Sequence, residues 1–209
     1  MPELPTDLSA LHKQIQHCQL CRLALTRTFT VPGAGDPEAR LMFVGEGPGA
    51  HEDKQGLPFV GVAGRLLDRL LEGIGLDRSD VFITNMVKCR PPGNRDPEPE
   101  ELSACRPYLS RQVELINPTI VVTLGRFSMT EFLGPGYSIT RIHGQPRRVG
   151  GRLLVPLLHP AAALRQPRVK DDLEADFQIL ARILANGEDI PVTEETEARE
   201  EPPEQLSLL

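Results

Sequence analysis

Arg40-Leu-Met-Phe-Val-Gly-Glu-Gly-Pro-Gly-Ala50 carries a short apolar strand straight into glycines at alternate positions. Gly45, Gly47 and Ala50 match the G-x-G-x-x-G/A spacing of a dinucleotide-binding turn. Such a turn needs a helix that starts at the glycines, so that its free amides meet a pyrophosphate. The residues that follow, His51-Glu-Asp-Lys-Gln-Gly-Leu-Pro-Phe-Val-Gly61, read instead as largely a loop marked by Gly56, Pro58 and Gly61. The acid expected at the end of a second strand is missing, because Asp68 lies inside a helical pattern, and no G-K-[ST] follows the glycines. The spacing is therefore read as a turn that lets backbone approach a ligand closely, and not as a cofactor cradle.

Outward from this turn, strands and helices alternate. Apolar or β-branched runs at 41–45, 81–87, 119–125 and 153–158 each end in Gly, Pro or polar residues. Between and after them lie helical stretches at 64–74, 98–116, 127–133 and 171–185; in the first, Leu66, Leu67, Leu70, Leu71 and Ile74 recur on a 3.6-residue period. This alternation predicts a parallel sheet covered on both faces, with working residues at the carboxyl ends of its strands. Those ends carry Glu46, Asn85 with Lys88, Gly125 with Arg126, and His159. Phe59, in the loop after the glycines, stands out in a chain with seven Phe, two Tyr and no Trp.

The net charge of −6 is unevenly spread, because residues 188–209 hold eight of the 29 acids and one of the 23 basic residues. The remaining body is close to neutral, and no acid occurs from residue 132 to residue 170, where seven Arg and Lys fall. That segment suits phosphate contacts, or else a solvated face whose acidic partners lie elsewhere in sequence. Residues 1–186 are expected to form one domain and 187–209 a disordered acidic tail. No run is long enough to span a bilayer, and the start lacks the pattern of a signal peptide, so a soluble cytoplasmic monomer is the expectation.

Four cysteines are present, Cys18 and Cys21 as C-x-x-C in an N-terminal helical stretch, and Cys89 and Cys105 with 15 residues between them. Four soft thiolates suit zinc or an iron–sulfur cluster, and spacing alone does not choose between them. A disulfide is disfavoured in a reducing cytosol.

Three stretches then carry a resemblance. They are Gly45-Glu-Gly-Pro-Gly-x-x-Glu-Asp-Lys-x-Gly-x-Pro-Phe-Val-Gly61, Thr84-Asn-x-Val-Lys-Cys-Arg-Pro-Pro92 and the pair His159-Pro160, with the cysteines interleaved. Together they resemble the bacterial and archaeal type-4 uracil-DNA glycosylases over residues 15–185. The resemblance implies a three-layer αβα sandwich around a four-stranded parallel sheet, and a [4Fe-4S] cluster on Cys18, Cys21, Cys89 and Cys105. It implies a monofunctional hydrolase that flips uracil out of DNA and cuts its N-glycosidic bond.

By position, the resemblance assigns Phe59 to stack on the flipped uracil, and Asn85 to bond its pyrimidine edge. His159 would stabilise charge near O2, and Glu46 with the Gly45 and Gly47 backbone would hold the attacking water. Glu52 would shape the C5 edge. Leu164 is the candidate wedge into the duplex and Arg165 a phosphate contact. The acid-free segment then reads as part of the DNA-facing surface, with His143 as a surface or phosphate-side residue. One relative traps itself covalently on DNA through a histidine in an Arg-rich insertion. Residues 88–97 have neither feature, so turnover is expected. The terminal Gln205-Leu-Ser-Leu-Leu209 resembles the peptide by which bacterial repair proteins dock on the sliding clamp. The competing reading is a catalytically idle nucleic-acid-binding or clamp-associated protein on the same fold, its cluster structural.

Overall fold

The computed structural model describes residues 4–186 and 193–194. Helix α1 (Leu8–Gln16) is capped by Asp7, whose carboxylate accepts from the Ala10 amide. Strand β1 (Ala34–Gly35) precedes β2 (Leu41–Gly45), α2 (Ala50–Gln55), α3 (Val62–Glu72) and β3 (Phe82–Asn85). There follow α4 (Pro99–Ile116), β4 (Ile120–Leu124), α5 (Arg126–Leu133), α6 (Ile139–Ile142), β5 (Arg147–Val149) and β6 (Arg152–Leu157). The described chain closes with α7 (Pro160–Ala163), α8 (Pro167–Asn186) and β7 (Thr193–Glu194).

Strand order is β1-β3-β2-β4-β6-β5-β7. The four inner strands β3, β2, β4 and β6 are mutually parallel, in register from Gly45 opposite Asn85 to Leu124 opposite Leu157. These are the four strands the apolar runs predict. The edges add what the sequence reading omitted: β1 runs antiparallel to β3, β5 runs antiparallel to β6, and β7 pairs with β5. A Gly150-Gly151 turn with positive φ at both residues makes the β5–β6 hairpin.

Alternate strand residues feed two cores. Leu41, Phe43, Val122 and Val155 pack with the leucines of α3 and with Leu173, Phe177 and Leu180 of α8. Met42, Val44, Val121 and Leu154 face α4, α5 and α6 on the other side. The result is the αβα sandwich. A smaller third cluster joins α1 to α4 through Leu11, Ile15, Cys105 and Tyr108.

Two readings of local structure need correction. A helix does begin at the glycines: α2 spans six residues with Gly49 at its N-cap, and Gly56 at φ 69° stops it. Glu52 and Asp53 occupy its first turn, placing carboxylates where a pyrophosphate would need positive potential. The cofactor reading thus fails on charge and helix length, and not on the lack of a helix. The C-x-x-C pair likewise lies just beyond α1, where His17 ends that helix and Cys21 caps the short 3₁₀ turn Arg22–Leu25.

The acid-free segment does not act as one surface. Arg148, opposite Leu153, and Arg152, opposite Val149, lie at the amino end of β6, away from the end that carries His159, and Arg147 is buried. His143, expected at the surface, is held by Asp176 of α8 at 2.8 Å. Within the expected disordered tail, Thr193–Glu194 pair with β5; residues 187–192 and 195–209, including Gln205 and the clamp-like peptide, lie outside the described residues.

Candidate active site

For the four parallel strands, the order places a topological switch point between β2 and β4. Open α/β sheets bind ligands in the crevice above such a point. Glu46 follows β2 and Gly125 follows β4, and here they meet: the Glu46 carboxylate accepts from the Phe127 amide, at the start of α5, at 3.2 Å. Gly125 sits at φ 98°, and a Cβ there would lie 2.5 Å from Glu46 Oε1, so only glycine fits. Burial pushes the Glu46 carboxyl above its ordinary value, against the pull of the Phe127 amide.

A pocket of about 390 Å3 opens above this crevice, within the range of small-ligand sites. Glu46, Gly47, Glu52, Phe59, Asn85, His159 and Arg165 line it, with Asn94, Arg95 and Asp96 from the loop before α4. Gly45 packs against two of these residues: a Cβ there would lie 2.4 Å from Asn85 Oδ1 and 2.7 Å from the Phe59 ring. At Gly47 a Cβ would press on Val87 at 2.9 Å. Most of the residues expected at the site are therefore gathered in one place. Leu164, 45% exposed, precedes the pocket-lining Arg165 and is not itself in the lining.

Phe59 is buried with φ 51°, a left-handed conformation that costs an aromatic residue energy and needs outside support. Glu52 and Arg78 supply it. Glu52 Oε1 accepts from the amides of Val60 and Gly61 at 2.9 and 2.8 Å. Arg78 donates to the Phe59 carbonyl at 2.8 Å, to Asp68 at 2.9 Å, and to the Pro58 carbonyl. Glu52 thus lines the pocket and also clamps the loop that presents Phe59. Arg78 was not anticipated, since nothing in its local sequence marks a residue that reaches 20 positions back.

Opposite Phe59, the His159 ring stacks at 5.8 Å between centroids and 28° between planes. Its Nδ1 accepts from the Ala161 amide at 3.1 Å. Burial lowers its pKa to about 4, slightly opposed by Glu52. The imidazole is therefore neutral near pH 7, and with Nδ1 used as an acceptor its proton sits on Nε2. Asn85 is 1% exposed and its Oδ1 has no hydrogen-bond partner. A buried amide oxygen left unpaired costs on the order of 1–3 kcal/mol, which a ligand donor would recover.

The four cysteines, all free thiols, line a separate small cavity with Arg27, Lys88 and Tyr108. Cys89 and Cys105 are buried. Three N–H groups point at sulfur: Arg27 to Cys89 at 3.2 Å, the Lys88 amide to Cys105 at 3.2 Å, and the Leu20 amide to Cys18 at 3.5 Å. Burial pushes the Cys105 thiol up to about 12, against Lys88, and raises Cys21 and Cys89 as well. Glu101, almost wholly buried at the head of α4, accepts from Arg95 at 2.6 Å and from Arg22 at 3.1 Å. It ties the cysteine segment to the loop flanking the pocket.

Fold and pocket together define an α/β protein of the uracil-DNA glycosylase class: the model of the Uracil DNA glycosylase superfamily matches residues 32–181. Type-4 uracil-DNA glycosylases of Sulfurisphaera tokodaii and Saccharolobus solfataricus are 48% and 47% identical to the chain, over 82% and 86% of its length and 82% and 88% of theirs. That of Archaeoglobus fulgidus is 43% identical over 85% of this chain and 93% of its own. The chain belongs to the type-4 uracil-DNA glycosylase family.

Proposed function

We propose that this protein removes uracil from DNA by hydrolysing its N-glycosidic bond, leaving an abasic site. The observation that carries this reading is Asn85, whose buried Oδ1 has no hydrogen-bond partner, in the lining of a pocket it shares with a neutral imidazole and a buried aromatic ring. Phe59 stacks on the flipped base. Asn85 Oδ1 accepts from the uracil N3–H, while its Nδ2 donates to O4. The Nε2–H of His159 donates toward O2, where charge gathers as the C1′–N1 electron pair leaves with the base. Glu46 as a carboxylate steadies the oxocarbenium-like sugar and takes a proton from the water that attacks C1′.

The pocket lining includes no lysine, and Lys88 Nζ is turned into a buried network, which supports hydrolysis over Schiff-base chemistry. Glu52 holds the loop along the base's C5 edge, Leu164 wedges the opened stack, and Arg165 meets a phosphate.

Cys18, Cys21, Cys89 and Cys105 would hold the [4Fe-4S] cluster. Among the described residues no three His, Cys, Asp or Glu form a set able to hold a single metal ion, whereas four thiols ring one cavity. N–H groups aimed at sulfur suit bound sulfide-rich iron, whose positive charge would ionise thiols that burial keeps neutral. The cluster would fasten α1, the 3₁₀ turn and α4 together.

The test is uracil release from a labelled oligonucleotide, with iron content measured on the same sample. Asn85→Ala and His159→Ala are each expected to lower kcat by about 10²–10³-fold while DNA binding persists. Wild-type rates in both variants would place the chemistry elsewhere. The peptide Gln205-Leu-Ser-Leu-Leu209 is proposed to engage a sliding clamp, and clamp binding that survives its deletion would refute that.

A further inference from the structure

Lys88 is buried to 1% exposure, three residues after Asn85 of the pocket and in the lining of the cysteine cavity. Its Nζ donates to Thr84 Oγ1 at 2.7 Å, to the Asn85 main-chain carbonyl at 2.7 Å and to Gln112 Oε1 at 2.6 Å. The roles of these partners are settled by their other bonds. Thr84 Oγ1 donates to the Pro32 carbonyl at 2.9 Å, and Gln112 Nε2 donates to that same carbonyl at 2.7 Å. Three acceptors around one nitrogen require three N–H bonds, so Lys88 is an ammonium ion.

All three of its partners are neutral, and a wholly buried cation held only by neutral groups is costly. The cysteine cavity would supply the anion that balances it. Lys88 lines the cysteine cavity, precedes Cys89 in sequence, and donates its own amide to Cys105 Sγ at 3.2 Å.

We infer that Lys88 is a positioning residue that couples the two sites: its ammonium is the buried counter-charge of the thiolate-held cluster and, through the Asn85 carbonyl, sets the end of β3 that carries the base-reading amide. The inference rests on the iron–sulfur reading above. In this arrangement the anionic cluster stabilises the cation, and the cation holds the strand end. A cation beside a cluster favours its reduced, more negative state and so raises its reduction potential.

The test uses purified holoprotein with iron and sulfide content, the reduction potential by protein-film voltammetry, and kcat and KM on a uracil oligonucleotide. Lys88→Met removes the charge at similar volume. Gln112→Glu keeps the lysine and places a carboxylate within bonding distance of Nζ, offering it a rival counter-ion. The expected result for both is a lower potential or loss of iron from a folded chain. In Lys88→Met, kcat should also fall on the order of 10–100-fold with KM little changed. Should Lys88→Met not fold, Gln112→Glu decides. A folded, iron-loaded variant with wild-type potential overturns the coupling. Zinc, or no metal, in the wild type is a different outcome, which overturns the cluster reading and this inference with it.

Discussion

Glu46 and His159 are both shifted by burial, in opposite senses of charge. Burial raises the Glu46 carboxyl above its ordinary value, so the carboxylate needed near the sugar is lost at a higher pH than for an exposed glutamate. His159 is lowered to about 4, below the ordinary glutamate value, so as pH falls Glu46 takes up its proton first. The acid limb of a pH–kcat profile should therefore begin with Glu46. In single-turnover assays, His159→Gln should cut the rate by about 10²–10³-fold yet keep the acid limb of the wild type. Glu46→Gln should leave a slower reaction without that limb. A limb that disappears with His159 instead would mean that protonation of the imidazole, and not of Glu46, switches the reaction off. This reading uses the Ala161 amide at Nδ1, a contact that His159-Pro160 in the sequence does not announce.

At the scale of elements, the pocket is built by short pieces under tension. The six residues of α2 end at Gly56, the chain turns through Phe59 at positive φ, and α3 starts at Val62. Gly64 of α3 touches this turn so closely that a Cβ would lie 1.7 Å from the Phe59 carbonyl oxygen. Arg78 holds the same carbonyl from the other side. Arg78→Met should therefore free the Phe59 turn without touching the reacting groups. Weaker inhibition by free uracil and a kcat lower by about tenfold are expected. Unchanged inhibition would show that Glu52 holds the turn unaided.

The four inner strands were legible because strands buried on both faces are nearly continuous apolar runs, as in Leu41–Gly45 and Ile120–Leu124. The edge strands β1 and β5, of two and three residues, carry too little pattern to read. Helix α2 reads as loop in the sequence because His-Glu-Asp-Lys-Gln has no apolar face and two glycines bracket it. Of the candidate site, the motif residues are visible, Lys88 among them, whereas Arg78 and Gln112 act through contacts 10 to 80 residues apart that only the fold creates.

Across the whole molecule, the same buried groups make stability depend on pH in opposing directions. His12 of α1 is lowered to about 4 by burial and by Lys88, and His159 to about the same value. An unfolded histidine takes up its proton near pH 6.5, so between pH 6.5 and 4 the unfolded chain binds more protons than the folded one at these sites. Stability from the two histidines is thus lost as pH falls through that window. Asp176 acts the other way: burial raises it to about 6 despite His143, so its folded form binds the extra proton and stability from this group falls as pH rises from 3.8 to 6. The measured curve is the sum, and a variant isolates one part of it. His12→Gln removes one proton site from α1 and keeps a side chain that can meet Gln112, which lies 3.3 Å from the ring. Between pH 6.5 and 4, the variant should lose stability less steeply than the wild type, by up to about 1.4 kcal/mol per pH unit. Thermal midpoints of the two proteins across that range would show the curves converging toward low pH. Parallel curves would mean that His12 is protonated in the fold, and that the Gln112 amide and Lys88 tolerate a second cation beside them.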